Sequence, residues 1–388
     1  MTRTVRIGTA ALLLAFASAL AVLPAVASIG RRSAGEFSQA ARPLLVSRGD
    51  GTKSAAAEAA SLEAISADAG RVVFSSTPLG GDASGGLYLR DIRRHTTIRL
   101  GDRGGDAALS ADGSFLVLGG EGIFVRRLPS GQQRRVAPPR SGQPSLSADG
   151  RVLAFTSSSG GLTVRGEDQV FVRDFRSGGL AQVSRASGAS GRLADGESNH
   201  PAISADGRFV AFVSHARNLA GRPEEGYVSA VYLRDLVTDR TVMVSPRGML
   251  ASAPSISADG NRVVFAALDS VYMFDRRSGD VTSISAGGRY TPDLGPSISA
   301  DGRYVAYRAG LPEAGIKRLA IADLRSRKTA RVAKVGLPEA GSGPIALSAD
   351  GRFVAFDTHT EGLVGPGKNY RESGRVYRVR NPLFRSRR

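Results

Sequence analysis

Apolar residues fall along this chain in short runs, each closed off by Gly, Asp, Pro or Ser. The stretch around residue 204 shows the order. Pro201-Ala-Ile203 leads into the polar turn Ser204-Ala-Asp-Gly207, and Arg208-Phe-Val-Ala-Phe-Val213 follows as a run rich in aromatic and β-branched residues. After a loop come Ala230-Val-Tyr-Leu-Arg234, a second turn over 235–240, and Thr241-Val-Met-Val-Ser245. Runs of this length are too short for helices and suit strands, and their punctuation suits tight turns. The pattern predicts strand, tight turn, strand, loop, strand, tight turn, strand: a four-stranded antiparallel meander. Its second strand is a near-continuous apolar run, as in a sheet covered on both faces.

The same order recurs. Ser-Ala-Asp begins at Ser66, Ser110, Ser147, Ser204, Ser257, Ser299 and Ser348, with spacings of 44, 37, 57, 53, 42 and 49 residues. The third strand returns, for example, as Leu87-Tyr-Leu-Arg90, Val170-Phe-Val-Arg173 and Tyr377-Arg-Val-Arg380. This spacing is that of a propeller blade, and radial stacking buries the faces that a single meander leaves open. The expected fold class is all-β, a seven-bladed β-propeller of four-stranded antiparallel blades. The seventh copy has no fourth strand after Arg380, whereas Pro43-Leu-Leu-Val-Ser-Arg48 matches the fourth strand Leu180-Ala-Gln-Val-Ser-Arg185 of the third copy. An N-terminal strand over 43–47 is therefore expected to complete the last blade. The organisation expected is a signal peptide over 1–27, a flexible segment over 28–42, the propeller over 43–381 and a basic tail over 382–388.

The string Ser204-Ala-Asp-Gly-Arg-Phe-Val-Ala-Phe212, with Val170-Phe-Val-Arg-Asp174 as the partner motif, resembles the TolB-like β-propeller repeat, and most closely its exported Ser-Ala-Asp-Gly relatives. The likeness spans nearly all of 43–381. It implies the propeller fold and little about activity, since one fold hosts many functions. The chain departs from the usual Trp-Ser-Pro-Asp-Gly form in having no Trp. Too few residues precede the first copy for the N-terminal domain that accompanies the repeat in TolB itself.

Arg3 and Arg6 precede an apolar run over 7–23, which ends in Pro24-Ala-Val-Ala27. This reads as a secretory signal cleaved after Ala27, the competing reading being an uncleaved anchor. No other stretch is apolar enough to span a bilayer. The expected location is secreted, periplasmic or cell-envelope-associated, and the expected state a monomer. With no Cys, neither disulfides nor lipoprotein acylation is available, so an exported chain must rely on core packing. The formal charge is +17, which loss of Arg3 and Arg6 lowers by two. Such a balance suits anionic envelope polymers or head groups as partners. Nucleic acid is not expected, for want of a reading motif and with few aromatics.

Candidate chemistry divides by face. Asp112, Asp149, Asp206, Asp259, Asp301 and Asp350 each precede a Gly, such as Gly207, and recur from blade to blade, so they are read as turn formers rather than catalysts; blade one has Asp68-Ala69-Gly70 instead and is expected to turn less ideally. The loops between strands two and three, and from blade to blade, are long and varied and share the opposite face, where binding residues gather on rigid scaffolds. His215 and His359 hold equivalent positions just past strand two, Glu121 shares that position in blade two, and Asp269 lies one residue beyond it in blade five. His200 is placed just before strand one of blade four, near the same end. Glu224 lies on the same loop as His215, and Arg289 on a further loop of that face. These are the binding-face candidates; a metal or acid/base set drawn from them is conceivable. No cofactor is expected, calcium or another divalent metal being the alternative, and the loop over 218–226 lacks clustered Asp spacing. Arg90, Arg126, Arg173, Arg234 and Arg380 end the third strands and are expected to pair with turn carboxylates such as Asp91, Asp174 and Asp235.

No nucleophile elbow, phosphate loop or metalloprotease helix is present. The function expected is a non-catalytic scaffold that binds a protein or cell-envelope partner through its long-loop face. The alternative is a propeller-type hydrolase, lyase or lactonase with a channel-mouth site. A third reading is a structural component docked on an anionic wall polymer.

Overall fold

The computed structural model describes residues 43–51, 57, 59–77, 85–101, 105–128, 131–163, 166–220, 229–268, 270–285, 295–310, 317–335, 344–358 and 374–385. The expected signal peptide and flexible N-terminal segment lie outside them. The described residues hold seven four-stranded antiparallel sheets and no helix. Blade four is typical, with strands Ser198–Ile203, Phe209–Ser214, Ala230–Asp235 and Arg240–Met243 paired in sequence order. Six blades follow that order. The seventh takes three strands from the C-terminal end and its fourth from Leu44–Leu45, with Leu44 opposite Arg378 and Leu45 opposite Tyr377. The expected strand thus closes the ring from the N-terminal side.

Seven hydrophobic clusters hold the structure, and each lies between two neighbouring blades. The second strand explains this. Along Phe209–Ser214, Val210 and Phe212 turn toward blade three while Phe209, Ala211 and Val213 turn toward blade five. Alternation of period two therefore gives an apolar run with both faces buried. Within five blades an aromatic of strand two stacks on one of strand three, as Phe212 does on Tyr232 at 5.8 Å.

At the tight-turn face the Ser-Ala-Asp motif carries three separate bonds. The Ser204 hydroxyl donates to Asp206 and accepts the Phe209 N–H, while Asp206 accepts the Arg208 N–H. The middle alanine reaches the next blade: each of the seven donates its N–H to the carbonyl of the following one, from Ala67 through Ala111, Ala148, Ala205, Ala258, Ala300 and Ala349 back to Ala67, at 2.7 to 3.0 Å. Gly207 has φ +76°, and a Cβ there would meet Val152 Cγ2 of the preceding blade at 2.8 Å. In blade one, where a poorer turn is the sequence expectation, Ala69 takes the left-handed role itself at φ 51° and keeps the bond to the Ser66 carbonyl at 2.8 Å.

The third-strand arginines differ from expectation in their partners. Asp174 and Asp235 are held by Arg151 and Arg208, which follow the turn glycines, at 2.9 and 2.7 Å. Those two-pronged pairs hold both carboxyls well below the usual range. Arg90 and Arg234 are instead buried. Arg90 donates to the carbonyls of Gly49, Gly51 and His95, and Arg234 to those of Ala186 and Asp239; Arg234 also pairs with the Asp239 carboxylate at 2.6 Å, so its partner is a turn carboxylate as expected, but Asp239 rather than Asp235. Val46-Ser47-Arg48 and Val183-Ser184-Arg185 play the same part: the Ser47 and Ser184 hydroxyls accept the N–H groups of Val376 and Val170, each at 3.1 Å, and Thr97 and Thr241 donate to the Arg48 and Arg185 carbonyls, each at 2.7 Å.

Candidate functional site at the channel mouth

The first strands of successive blades touch around the axis and form the channel wall. As the innermost strand of each sheet, each leaves one edge facing the lumen, where a missing N–H does no harm. Proline accordingly stands at the same place in four blades: Pro144, Pro201, Pro254 and Pro296. Just before three of these the strand bulges, between Gly142 and Ser145, Asn199 and Ala202, and Ser252 and Ser255. The bulged residues Gln143, His200 and Ala253 are left-handed, with φ of 49°, 50° and 47°. A β-bulge re-aims a side chain, and here it brings these positions to the rim of an open recess of about 340 Å³ on the long-loop side.

All seven blades contribute to this recess, and unequally. Blades one to four supply Glu63, Asp106, Gln143 and His200; blades five to seven supply Ala253, Pro254, Gly295, Pro296, Pro344 and Ile345. The polar arc is cross-linked from blade to blade. Asp106 accepts the Gln143 N–H at 2.8 Å, and the Gln143 side-chain oxygen accepts the His200 N–H at 2.8 Å and the Thr156 hydroxyl at 2.9 Å. Each side chain thus satisfies an N–H that the next bulge withdraws from its ladder.

Two groups on the arc have shifted proton affinities. Burial pushes the Glu63 carboxyl up to about 7, aided by Asp106 and Asp357 and opposed by a 2.7 Å hydrogen bond from Ser75. Loss of bulk hydration lowers His200 below the ordinary imidazole value, against the pull of Asp106 and Glu197. Its ring is open to the lumen, but the surrounding blades displace most bulk water. Its Nδ1 lies 2.8 Å from Asn199 Oδ1, and the Asn199 amide donates to Glu197, which orients that oxygen toward the ring. The neutral imidazole therefore carries its proton on Nδ1 and keeps Nε2 as a base. Next to the Glu63 end of the arc, Arg308 of blade six and Asp357 of blade seven form a fully buried ion pair at 3.0 Å, and Ser61 donates to the same carboxylate at 3.1 Å.

Of the sequence candidates among the described residues, only His200 is at the mouth, and it lies within its strand rather than before it. His215 follows strand two, with its N–H on the Glu197 carbonyl, and Glu121 is exposed past strand two of blade two; neither lines the recess. His359, Asp269, Glu224 and Arg289 lie outside the described residues. Among the described residues, no three His, Asp or Glu come together as metal ligands. Sequence reasoning misses Glu63, Asp106 and Gln143. Their signal is the third and fourth positions before each repeat serine: proline dominates the third, where Glu63 replaces it in blade one, and Asp106 and Gln143 hold the fourth in blades two and three.

No family model matches the chain, and no curated protein matches it. Among solved structures it is similar to an oligogalacturonate lyase in complex with manganese, at 13% identity and TM-score 0.60, covering 89% of this chain and 98% of that one. It is similar to an oligogalacturonate lyase from Vibrio parahaemolyticus at 10% identity and TM-score 0.58, covering 89% and 91%. At these identities the likeness is one of fold alone. A TolB from Acinetobacter baumannii aligns over 82% of this chain and 84% of that one at 14% identity and TM-score 0.44, too loosely to support any argument. No helix among the described residues is long and apolar enough to cross a membrane.

Proposed function

We propose that this protein is an exported propeller scaffold that binds a protein or cell-envelope partner through its long-loop face, without catalysis. The observation that carries this reading is the recess on that face, to which every blade contributes. A rigid ring that presents one concave site amid varied loops suits recognition. The excess of basic residues supports an envelope setting, where anionic polymers abound. Affinity capture from the native envelope tests it, comparing the wild type with Gln143→Trp, which fills the mouth. A partner retained only by the wild type supports the reading; identical captures overturn it.

A second reading, a lyase or hydrolase acting at the mouth, is favoured by the presence of a carboxyl near neutrality and a neutral imidazole on one rim. The two lyases of similar fold make oligogalacturonate the first substrate to assay. The carboxylates of the arc count against it, because they repel a polyuronate. No cofactor belongs to the scaffold reading, and metal analysis after dialysis checks that directly.

A further inference from the structure

The mouth is charged opposite to the molecule that surrounds it. The chain carries 52 Lys and Arg against 35 Asp and Glu, yet the described residues that line the recess include two carboxylates and no Lys or Arg. Facing those carboxylates is a wall of Ala253, Pro254, Pro296 and Ile345, which offers carbon and few donors. We propose that the mouth receives the side chain of a lysine from a partner polypeptide, its ammonium on the Glu63 and Asp106 side and its methylene stem along the proline wall. This deepens the scaffold reading and rests on it.

The chemistry selects the ligand. A carboxylate or phosphate entering the recess would meet the like charges of Asp106 and ionised Glu63, which repel it. A bare metal ion needs several ligands converging on one point, and no such group exists among the described residues. An ammonium on a flexible stem needs only acceptors on one side and an apolar track on the other. Asp106, the Gln143 oxygen and Glu63 are acceptors spread along the arc, and His200 in its neutral form adds no opposing charge. The recess, at about 340 Å³, is large enough for one side chain and its attachment and too small for a folded element.

Titration of the full-length protein with acetyl-Ala-Lys-Ala-amide, and with its norleucine and glutamate counterparts, tests the proposal. The lysine peptide is expected to bind at millimolar concentration, and each counterpart at least tenfold more weakly. Asp106→Asn, which keeps an acceptor for the Gln143 N–H, and Glu63→Gln should each weaken the lysine peptide severalfold and leave the norleucine peptide unchanged. Equal binding of the lysine and norleucine peptides overturns the proposal, as does no binding of the lysine peptide or stronger binding of the glutamate one. Envelope capture with the two variants separates the two readings. A partner that both variants retain with wild-type affinity sinks the lysine site and leaves the scaffold standing. A wild type that binds the lysine peptide but captures nothing sinks the scaffold and leaves the site.

Discussion

The Ala349 N–H donates to the Ala67 carbonyl at 2.7 Å, and this bond joins the last blade to the first. It is one of seven equivalent links around the turn face, so the ring closes in backbone as well as in side-chain packing. Ala349 sits second in the turn Ser348-Ala-Asp-Gly351, whose Gly351 N–H returns to the Ser348 carbonyl at 2.8 Å. Proline is favoured at that position of a type I turn, so Ala349→Pro removes the link and spares the turn. The expected loss is at least about 1 kcal/mol, read as a lower midpoint in urea. An unchanged midpoint would show that the alanine ring adds nothing to closure.

The fold is legible in the sequence because a propeller states its plan seven times. Turn chemistry at Asp-Gly, the apolar second strand and the missing fourth strand after Arg380 are local or periodic signals, and each leads to an observed element. The mouth is harder to read, because Glu63, Asp106, Gln143 and His200 come from four blades and share a rim only once the ring is closed, Gln143 and His200 reaching it through bulges that no local pattern announces. Proximity in sequence misassigns the partners of Asp174 and Asp235 for a related reason. The nearest arginines, Arg173 and Arg234, point to the opposite face of the strand from Arg151 and Arg208, which cross from the neighbouring strand.

Gly207→Ala tests the second use of the turn glycine. The left-handed backbone alone costs about 1 kcal/mol with a side chain present, yet Ala69 tolerates it in blade one. Contact of the new Cβ with Val152 adds to that. A loss of about 2 kcal/mol is expected, whereas Ala69→Gly, which relieves the same left-handed cost, should be neutral or stabilising by up to about 1 kcal/mol, both from denaturant midpoints.

Closure by the N-terminal strand has a direct test. Deleting residues 28–48 removes Leu44–Leu45 and the serine whose hydroxyl accepts the Val376 N–H at 3.1 Å. The melting temperature should fall by many degrees. Arg90→Met, which frees the carbonyls of Gly49 and Gly51, should reproduce part of that loss, about 1–3 kcal/mol.

Arg308 and Asp357 tie blade six to blade seven, and each is only 2% exposed. Removing one partner leaves a buried charge, so Arg308→Met should cost about 3–5 kcal/mol. The double change Arg308→Met with Asp357→Leu should recover most of it, because two apolar groups need no partner. Recovery measured in a double-mutant cycle checks the pairing; a double variant as unstable as the single one would point to another role for Arg308.

Glu63 gives the molecule an unusual response to pH. Its folded carboxyl titrates near 7, above the ordinary glutamate value of 4.5, so the folded state binds the extra proton. Stability from the protonated group is therefore complete below about pH 4.5 and is lost as pH rises through 7, at about 1.4 kcal/mol for each pH unit between those two values. His200 acts with the opposite sign, since its lowered value makes the folded state resist protonation below the ordinary imidazole range. The depressed carboxyls of Asp174, Asp235 and Asp323 matter only at lower pH, because their stabilisation is lost as pH falls below the ordinary carboxylate range. The difference between wild type and Glu63→Gln isolates the one group: the variant should gain stability relative to wild type between about pH 5 and 8. The same rise in pH ionises Glu63 and keeps His200 neutral, so lysine-peptide binding should strengthen over the interval in which the wild type loses stability. A stability difference that stays flat with pH would mean that Glu63 is as well solvated in the channel as in the unfolded chain.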